Sequence, residues 1–387
     1  MKKMLVATTA LVAVSATPAL AADVTLSAYY EFGWAQHSDD TEGDDDGNDS
    51  HTFNDTEVHI KFETTSDSGL NYGAVFELEG AADGTQSVEE GGGTVSTKVM
   101  DEASLYFKGG FGKVTLGQND FAHDSFLTWA PTHRGTISQD DGHYGPRFAS
   151  GTGSNGGVTL ASIDSEASLG TGVGSAYFGP NASYNDAEKV TYMSPNLGGF
   201  TFGVSWMDSS TAESTIPSFG LKYSGGMGMM DDGMMGGIGY TITANSFDNG
   251  ADGDANTTSN QYGITLTSGA LTLTASQSSA EGAGGVTSST INADGDALVT
   301  SKMRDVSTQE FGVGYQVSDS LSVGASMTSS EDDVSQHETD VTSFSGQYTI
   351  APGLSATAAL NNYEVVDNYW NRANDGTTIV LTVQANF

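Results

Sequence analysis

The sequence predicts an all-β protein, a 16-stranded antiparallel transmembrane β-barrel, on three observations. The last eleven residues, 377–387, alternate strictly between apolar and mostly polar side chains, as a strand with one apolar face does, and the chain stops on Phe387. Fifteen further segments alternate similarly, and the connections between them are by turns short and long. That pattern is typical of a membrane barrel with short periplasmic turns and long external loops. The start of the chain has the features of an export signal.

Residues 1–21 predict a cleaved secretory signal peptide. Lys2 and Lys3 form the basic start, a short apolar stretch follows, and Ala19-Leu20-Ala21 is a small-x-small cleavage site. The apolar stretch is too short for a membrane span, which argues against the alternative of a retained anchor. We therefore expect cleavage after the alanine at 21, or after the next residue, and a single mature barrel domain over residues 22–387.

Composition excludes several classes of function. Loss of the signal peptide removes two lysines and no acids, so the formal charge goes from −36 to −38. Such a charge argues against nucleic acid or an anionic membrane surface as a partner. The chain has no cysteine, which excludes disulfides, thiol chemistry and cysteine-based metal sites. Fifty glycines suit an all-strand protein with many turns, and about 366 mature residues are enough for one large barrel or two ordinary domains.

Alternating apolar residues mark each of the sixteen predicted strands. In chain order the strands include residues 24–34, 58–62, 72–78, 103–107, 114–116, 190–192, 200–206, 219–223, 238–244, 262–266, 271–275, 311–317, 321–325, 344–350, 354–360 and 377–387. An even number of strands brings both termini to the short-turn side, where the first and last strands can pair and leave no free edge. Aromatic residues near strand ends fit the interfacial girdle of such a barrel: Trp34, Phe107, Phe200, Trp206, Tyr262 and Tyr348.

Two hairpins and the terminal residue resemble a known family. Residues 105–117 (LYFKGGFGKVTLG) and 190–203 (VTYMSPNLGGFTFG), followed at the end by Phe387, are similar to the corresponding segments of Gram-negative general diffusion porins, of the alphaproteobacterial type. The resemblance implies a homotrimeric diffusion channel in the bacterial outer membrane, in contact with lipid and lipopolysaccharide. It also implies delivery by periplasmic chaperones and insertion by the barrel-assembly machinery, which reads the terminal Phe in that family.

Residues 119–187 form a segment too long for an ordinary loop, and they follow the fifth strand. In the resembling family, the third loop leaves this strand and folds into the pore as a constriction. The candidate constriction residues are Asp120, Asp124, Asp140, Asp141, Arg134 and Arg147 on this loop and, by strand parity, His59, Lys61 and Lys113 on the lumenal wall. An acidic loop would then face sparse basic wall residues, and the width and charge of the bore would set selectivity.

Two features favour cations in such a pore. Gln118 stands where many members of the family have Arg, which weakens the positive half of the constriction, and the mature charge is near −38. The alternative is that these loop charges form only a solvated surface.

An acidic segment near the N-terminus resembles part of an EF-hand calcium loop. Its candidate ligands are Asp44, Asp46, Asn48 and Asp55. The sixth position holds Asp49 in place of Gly, and the twelfth holds an aspartate in place of Glu, so a true EF-hand is disfavoured. We expect no required cofactor, but loosely bound Ca²⁺ or Mg²⁺ on these clustered carboxylates.

No motif predicts an enzyme. The chain contains no Gly-x-Ser-x-Gly, no His-Glu-x-x-His and no phosphate-cradling Walker loop. Two alternatives to a passive channel stay open. A substrate-specific outer-membrane channel differs only in having an ordered lumenal site. A calcium-binding structural surface protein explains the acidity, but neither the turn alternation nor the terminal Phe.

Overall fold

In the computed structural model, sixteen antiparallel strands form one sheet that closes into a barrel. The structure describes residues 22–39, 50–79, 100–138, 187–209, 214–227, 238–248, 258–285, 303–332, 337–367 and 372–387. The strands are β1 (Asp23–Asp39), β2 (Ser50–Thr65), β3 (Asn71–Glu79), β4 (Ala103–Gly109), β5 (Gly112–Gln118), β6 (Glu188–Met193), β7 (Phe200–Ser209), β8 (Ser214–Met227), β9 (Ile238–Asp248), β10 (Thr258–Ser268), β11 (Leu271–Gly285), β12 (Met303–Ser318), β13 (Leu321–Asp332), β14 (His337–Ala351), β15 (Leu354–Asp367) and β16 (Arg372–Asn386). A short 3₁₀ helix spans Ala122–Phe126. Among the described residues, no helix has the length and apolar character needed to cross a bilayer.

The first and last strands join to close the sheet. Their register runs from Tyr29 opposite Asn386 to Asp39 opposite Gly376. Beyond that ladder, the N–H of Phe387 donates to the carbonyl of Ala28 at 2.9 Å, and the N–H of Ala28 donates to the carbonyl of Phe387 at 3.2 Å. Each strand is hydrogen-bonded to the next along the chain, so this seam leaves the barrel without an edge strand.

The two faces of the barrel have the reverse of a soluble protein's polarity. On β16, Leu381 and Val383 are each 47% exposed and point outwards, whereas Thr378 and Thr382 are 0% and 3% exposed and point inwards. The same alternation runs round the sheet, and its interior is lined by small hydroxyl and amide side chains such as those of Ser205, Ser218, Thr243, Gln261, Ser276, Thr308, Ser343 and Asn361. An apolar outer face with a polar inner face is the arrangement that a bilayer and a hydrated lumen require.

All sixteen predicted strands are confirmed, but several extend further than alternation indicated. The segment predicted at 311–317 belongs to Met303–Ser318, and that predicted at 58–62 belongs to Ser50–Thr65. The added residues lie at the ends nearer the long connections. Thr52 and Asn54 of β2 are both exposed polar residues. Strand ends of this kind carry polar residues where a lipid-facing position would be apolar, so periodicity alone does not reveal them.

The lengthened strands also change the connections. Short turns join β2 to β3 at 66–70 and β14 to β15 at 352–353, as predicted. However, the short-turn connection between β8 and β9, residues 228–237, is longer than the opposite connection between β7 and β8, residues 210–213. The alternation of turn length therefore holds round most of the barrel and fails at this hairpin.

Aromatic rings cluster on the outer face near the short-turn ends. Phe200, the first residue of β7, packs against Tyr223 with ring centroids 4.5 Å apart, and Tyr223 lies 5.8 Å from Tyr240. Two other residues of the predicted girdle, Trp206 and Tyr262, are 60% and 62% exposed on the same outer face. Amphipathic rings in such positions are suited to the boundary between lipid tails and headgroups.

Leu381 points outwards, so its replacement tests whether this face of β16 meets lipid. Leu381→Arg places a charge in the apolar band near the middle of β16, and we expect it to lower the free energy of unfolding by about 2–4 kcal/mol. Gln384→Arg adds the same charge to the inward face of the same strand, so it is the matched control, with a smaller expected loss. Both are measured by denaturant titration of the barrel in lipid vesicles. Equal losses would contradict the assignment of the two faces.

Candidate functional site

The segment that follows β5 runs along the inside of the barrel wall. The N–H of Ala122 donates to Ser205 Oγ on β7 at 2.7 Å, and the N–H of Thr128 donates to Gln261 Oε1 on β10 at 2.8 Å. The hydroxyl of Thr128 is also hydrogen-bonded to that of Thr243 on β9, at 2.6 Å. Backbone groups of this irregular segment are thus satisfied by polar side chains of the wall, which fixes its path.

The second half of the segment continues round the wall in the same manner. Three more backbone N–H groups donate to inward-facing side chains: Ala130 to Glu310 Oε1 on β12 at 2.6 Å, His133 to Ser345 Oγ on β14 at 3.0 Å, and Ile137 to Asn361 Oδ1 on β15 at 2.9 Å. Residues 119–138 therefore pass β7 to β15 in turn and line much of the lumen.

Glycines of the wall make room for this lining. A Cβ added to Gly220 would lie 2.0 Å from the Phe126 ring, and one added to Gly263 would lie 2.2 Å from Thr128. A Cβ on Gly324 would lie 2.6 Å from the carbonyl oxygen of Pro131. All three distances are well below van der Waals contact, so the segment can approach the sheet this closely only where the wall lacks side chains.

Arg134 attaches the segment to the first two strands. Its Nη2 donates to the Tyr29 hydroxyl at 2.7 Å and to Asp55 Oδ2 at 3.3 Å, and its Nε lies 3.5 Å from Glu31 Oε2. Glu31 and Asp55 are 1% and 5% exposed. The Tyr29 hydroxyl in turn donates to Glu31 at 2.9 Å. One guanidinium thus compensates two buried wall carboxylates, whose desolvation would otherwise be costly.

Basic residues of the neighbouring wall surround Tyr106. The ammonium groups of Lys61 and Lys113 lie 5.7 Å and 5.2 Å from the centre of its ring. Glu63 accepts a hydrogen bond from the Tyr106 hydroxyl at 2.5 Å and forms an ion pair with Lys61 at 2.8 Å. A cavity of about 500 Å³ opens beside this group, lined among others by Lys61, His59 and Arg134. The lumen therefore carries both signs of charge on adjacent strands.

A sequence model of the Gram-negative porin family matches residues 7–368. The chain belongs to the Gram-negative porin family. Membership places the protein in the bacterial outer membrane and makes its barrel a passive diffusion channel. No curated protein matches the sequence significantly.

Solved porins share the fold at low sequence identity. The barrel superimposes on a porin refined at 1.8 Å resolution with a TM-score of 0.59 and 14% identity, covering 94% of this chain and 100% of the other. It superimposes on the anion-selective porin from Comamonas acidovorans with a TM-score of 0.56 and 13% identity, and on OmpT of Vibrio cholerae with 0.54 and 11%, each covering 95% of this chain and 100% of the other.

Two of the predicted acids lie at the start of the inner segment, residues 119–138, and differ in environment. Asp120 is exposed, whereas Asp124 has its Oδ1 3.2 Å from His123 Nε2. Burial raises the pKa of Asp124, with a further contribution from the Asp120 charge, and burial lowers the pKa of His123, with a further contribution from Lys189. The charge that Asp124 adds to the lumen is thus smaller than its residue type suggests.

The remaining predicted residues divide into two groups. On the wall, the predicted lumenal residue His59 lies between Glu57 and Glu77, and Asp55, predicted as a calcium ligand, faces Arg134 from β2. Six others lie outside the described residues: Asp44, Asp46, Asn48, Asp140, Asp141 and Arg147. The roles proposed for all of them remain predictions.

Sequence reasoning missed the acids of the wall. Glu31, Glu57 and Glu77 point inwards, yet only basic wall residues were predicted from the sequence for the constriction. The parity that placed Lys61 in the lumen applies equally to Glu57 on the same strand, so the signal was present. The described part of the segment also contributes a cation, Arg134, to an acidic patch of wall, whereas an acidic loop facing a basic wall was expected.

Replacement of Arg134 tests its attachment role. Arg134→Gln leaves Glu31 and Asp55 without their guanidinium. Loss of one partner of a fully buried ion pair costs about 3–5 kcal/mol. Because Arg134 is one-third exposed, we expect a smaller fall in the free energy of unfolding, about 1–3 kcal/mol. Arg134→Lys retains the charge without the planar fork and should lose less. Thermal unfolding of the refolded barrel measures both. If the Gln variant is as stable as the parent, the contact does not hold the segment.

Substitution of a wall glycine tests the packing of the segment. Gly220→Val drives a side chain into Phe126, and we expect about 1–3 kcal/mol of destabilisation together with faster proteolysis within residues 119–138. Gly226→Val is the matched control on the same face of β8, because a Cβ there meets nothing closer than 3.9 Å. Similar proteolysis of both variants would show that Gly220 does not accommodate the segment.

Proposed function

We propose that this porin is a homotrimeric, non-enzymatic pore for small hydrophilic solutes and ions, with a preference for cations. The observation that carries the preference is the set of acids on the inner wall. Five carboxylates of the first three strands point inwards, namely Glu31, Asp55, Glu57, Glu63 and Glu77. The cations nearby are those of Lys61, Lys108, Lys113 and Arg134. Lys61 is paired with Glu63, and Arg134 is largely compensated by two of the acids.

The fold itself does not decide the sign of selectivity. One structure with the same barrel is described as an anion-selective porin. Selectivity must therefore come from this chain's own lumenal side chains, because rings of charge and the bore determine which ions enter a pore. Acids of the inner segment, with Asp120 exposed and Asp140 and Asp141 further along the chain, add to the negative lumen in this proposal.

Assembly and partners are part of the same proposal. A trimer form is named for the Vibrio cholerae protein of the same fold, and the apolar outer face of this barrel offers a surface for subunit contact. The side chain of Phe387 is 81% exposed at the end of the closing seam, where the assembly machinery can reach it.

Lipid and lipopolysaccharide cover the rest of the outer face, and periplasmic chaperones protect it before insertion. Loosely bound Ca²⁺ or Mg²⁺ would relieve repulsion among the acidic connections.

Planar-bilayer recording tests this function. We expect ohmic current in steps of three, and a reversal potential in a KCl gradient with the sign set by K⁺, since the lumenal carboxylates concentrate cations. The preference should weaken as ionic strength rises, because salt screens these charges. A reversal potential set by Cl⁻ would contradict the proposed selectivity, and absence of conductance would contradict the channel.

A further inference from the structure

Three potential metal ligands meet on the inner wall, apart from the Arg134 attachment. His59 on β2 lies directly opposite Glu77 on β3 in the strand register, and Glu57 precedes His59 by two residues on the same face. The His59 Nε2 is 2.9 Å from Glu57 Oε2, and its Nδ1 is 3.3 Å from Glu77 Oε2. One donor atom from each residue can be chosen so that all three lie within 4.8 Å of one another. Cross-strand pairing of rigid strands therefore sets this arrangement.

The local charge favours a cation at this point. Among the described residues, His59 is the only ion-pair partner of either glutamate. The nearest lysine on the strand, Lys61, is engaged by Glu63 at 2.8 Å. Asp101 and Asp120 lie close enough to Glu77 to add to the negative potential there. Two carboxylates thus share one imidazole, in a lumen that water and ions enter.

We propose that Glu57, His59 and Glu77 form a divalent-metal site on the pore wall, with Zn²⁺ as the ion that it fits best. Zinc bound tetrahedrally at about 2.0–2.1 Å has ligand atoms about 3.3–3.4 Å apart. The 2.9 Å between His59 Nε2 and Glu57 Oε2 is close to that value. Glu77 faces the other ring nitrogen, Nδ1, at 3.3 Å, and one ion binds a single nitrogen of the ring. Rotation of the His59 ring and of the Glu77 carboxylate therefore has to bring the three donors, which can be chosen within 4.8 Å of one another, to one ion.

The donor set separates zinc from the ions expected on the acidic connections. Calcium takes six to eight oxygen ligands and magnesium needs near-octahedral oxygen geometry, neither of which one imidazole and two carboxylates supply. Imidazole nitrogen with carboxylate oxygen suits zinc and its neighbours in the transition series. Glu57 and His59 line the cavity of about 500 Å³, so water there can supply the fourth ligand. On the proposed channel function, the bound ion narrows the bore and cancels negative charge, so it lowers the cation current.

Direct binding measurement tests the site without reference to conduction. Chelator-stripped, refolded barrel is titrated with Zn²⁺ by calorimetry, and we expect one ion per subunit. His59→Ala and Glu77→Gln should each weaken that binding by at least about tenfold, since even outer-shell changes cost zinc sites this much. Glu281→Gln is the control, because it removes an exposed carboxylate from β11, remote from β2 and β3 in the barrel, and should leave zinc affinity unchanged. Circular dichroism confirms that each variant retains the strand content of the parent.

The outcomes distinguish this inference from the channel function. No zinc binding, or equal binding by the parent and His59→Ala, overturns the site even where the barrel conducts normally. Zinc binding that is lost in both ligand variants supports the site even where no current is recorded. Where the barrel conducts, Zn²⁺ should lower the current of the parent and of Glu281→Gln but not that of His59→Ala. Equal inhibition of all three would place the effect of zinc elsewhere and overturn the site.

Discussion

The need to hydrogen-bond every backbone group in lipid is the constraint on which the rest of this structure depends. Within a bilayer no water can satisfy an exposed strand edge, so a sheet is stable there only when its first and last strands pair. Here β1 and β16 meet along eleven registered residues, and the pairing continues to Ala28 and Phe387 at the end of the chain. Closure fixes an inside and an outside, and residue alternation then directs apolar side chains to lipid and polar ones to the lumen.

A second consequence of closure is that polar side chains line the lumen and can hold a chain segment against its wall. The segment 119–138 is mostly irregular, yet wall side chains satisfy its amides at Ala122, Thr128 and Ile137. Wall glycines such as Gly220 bring its backbone close enough for those bonds. Packing and hydrogen bonding thus reinforce each other, because the small wall residues that remove steric hindrance stand beside the serines, glutamine and asparagine that accept the bonds.

Contact with lipid and contact with remote residues explain how much of the fold could be predicted from the sequence. The terminal strand was predicted over 377–387 but begins at Arg372, so its lipid-facing part, where alternation persists, was predicted and its first five residues were not. Likewise β2 was predicted only in part, because Thr52 and Asn54 break the pattern. The path of the inner segment could not be predicted, since its partners are remote: Thr128 and Gln261 are 133 residues apart. Glycines at inward parity were the available signal, but a glycine in a strand has several explanations, of which close approach of another chain segment is only one.

The wall acids have two roles, which are carried by different residues. Carboxylates inside a narrow bore raise the local concentration of cations, and this effect requires that they stay ionised and face water. Glu31 and Asp55 are instead buried beneath Arg134, so they hold the inner segment and contribute little net charge to the bore. Within the described part of the chain, Glu57 and Glu77 have only His59 as an ion-pair partner, so on the proposed cation preference they are the carboxylates of this part of the wall that are left to attract cations. On the proposed cation preference, selectivity depends less on the total acidity of the chain than on which carboxylates the inner segment leaves uncovered.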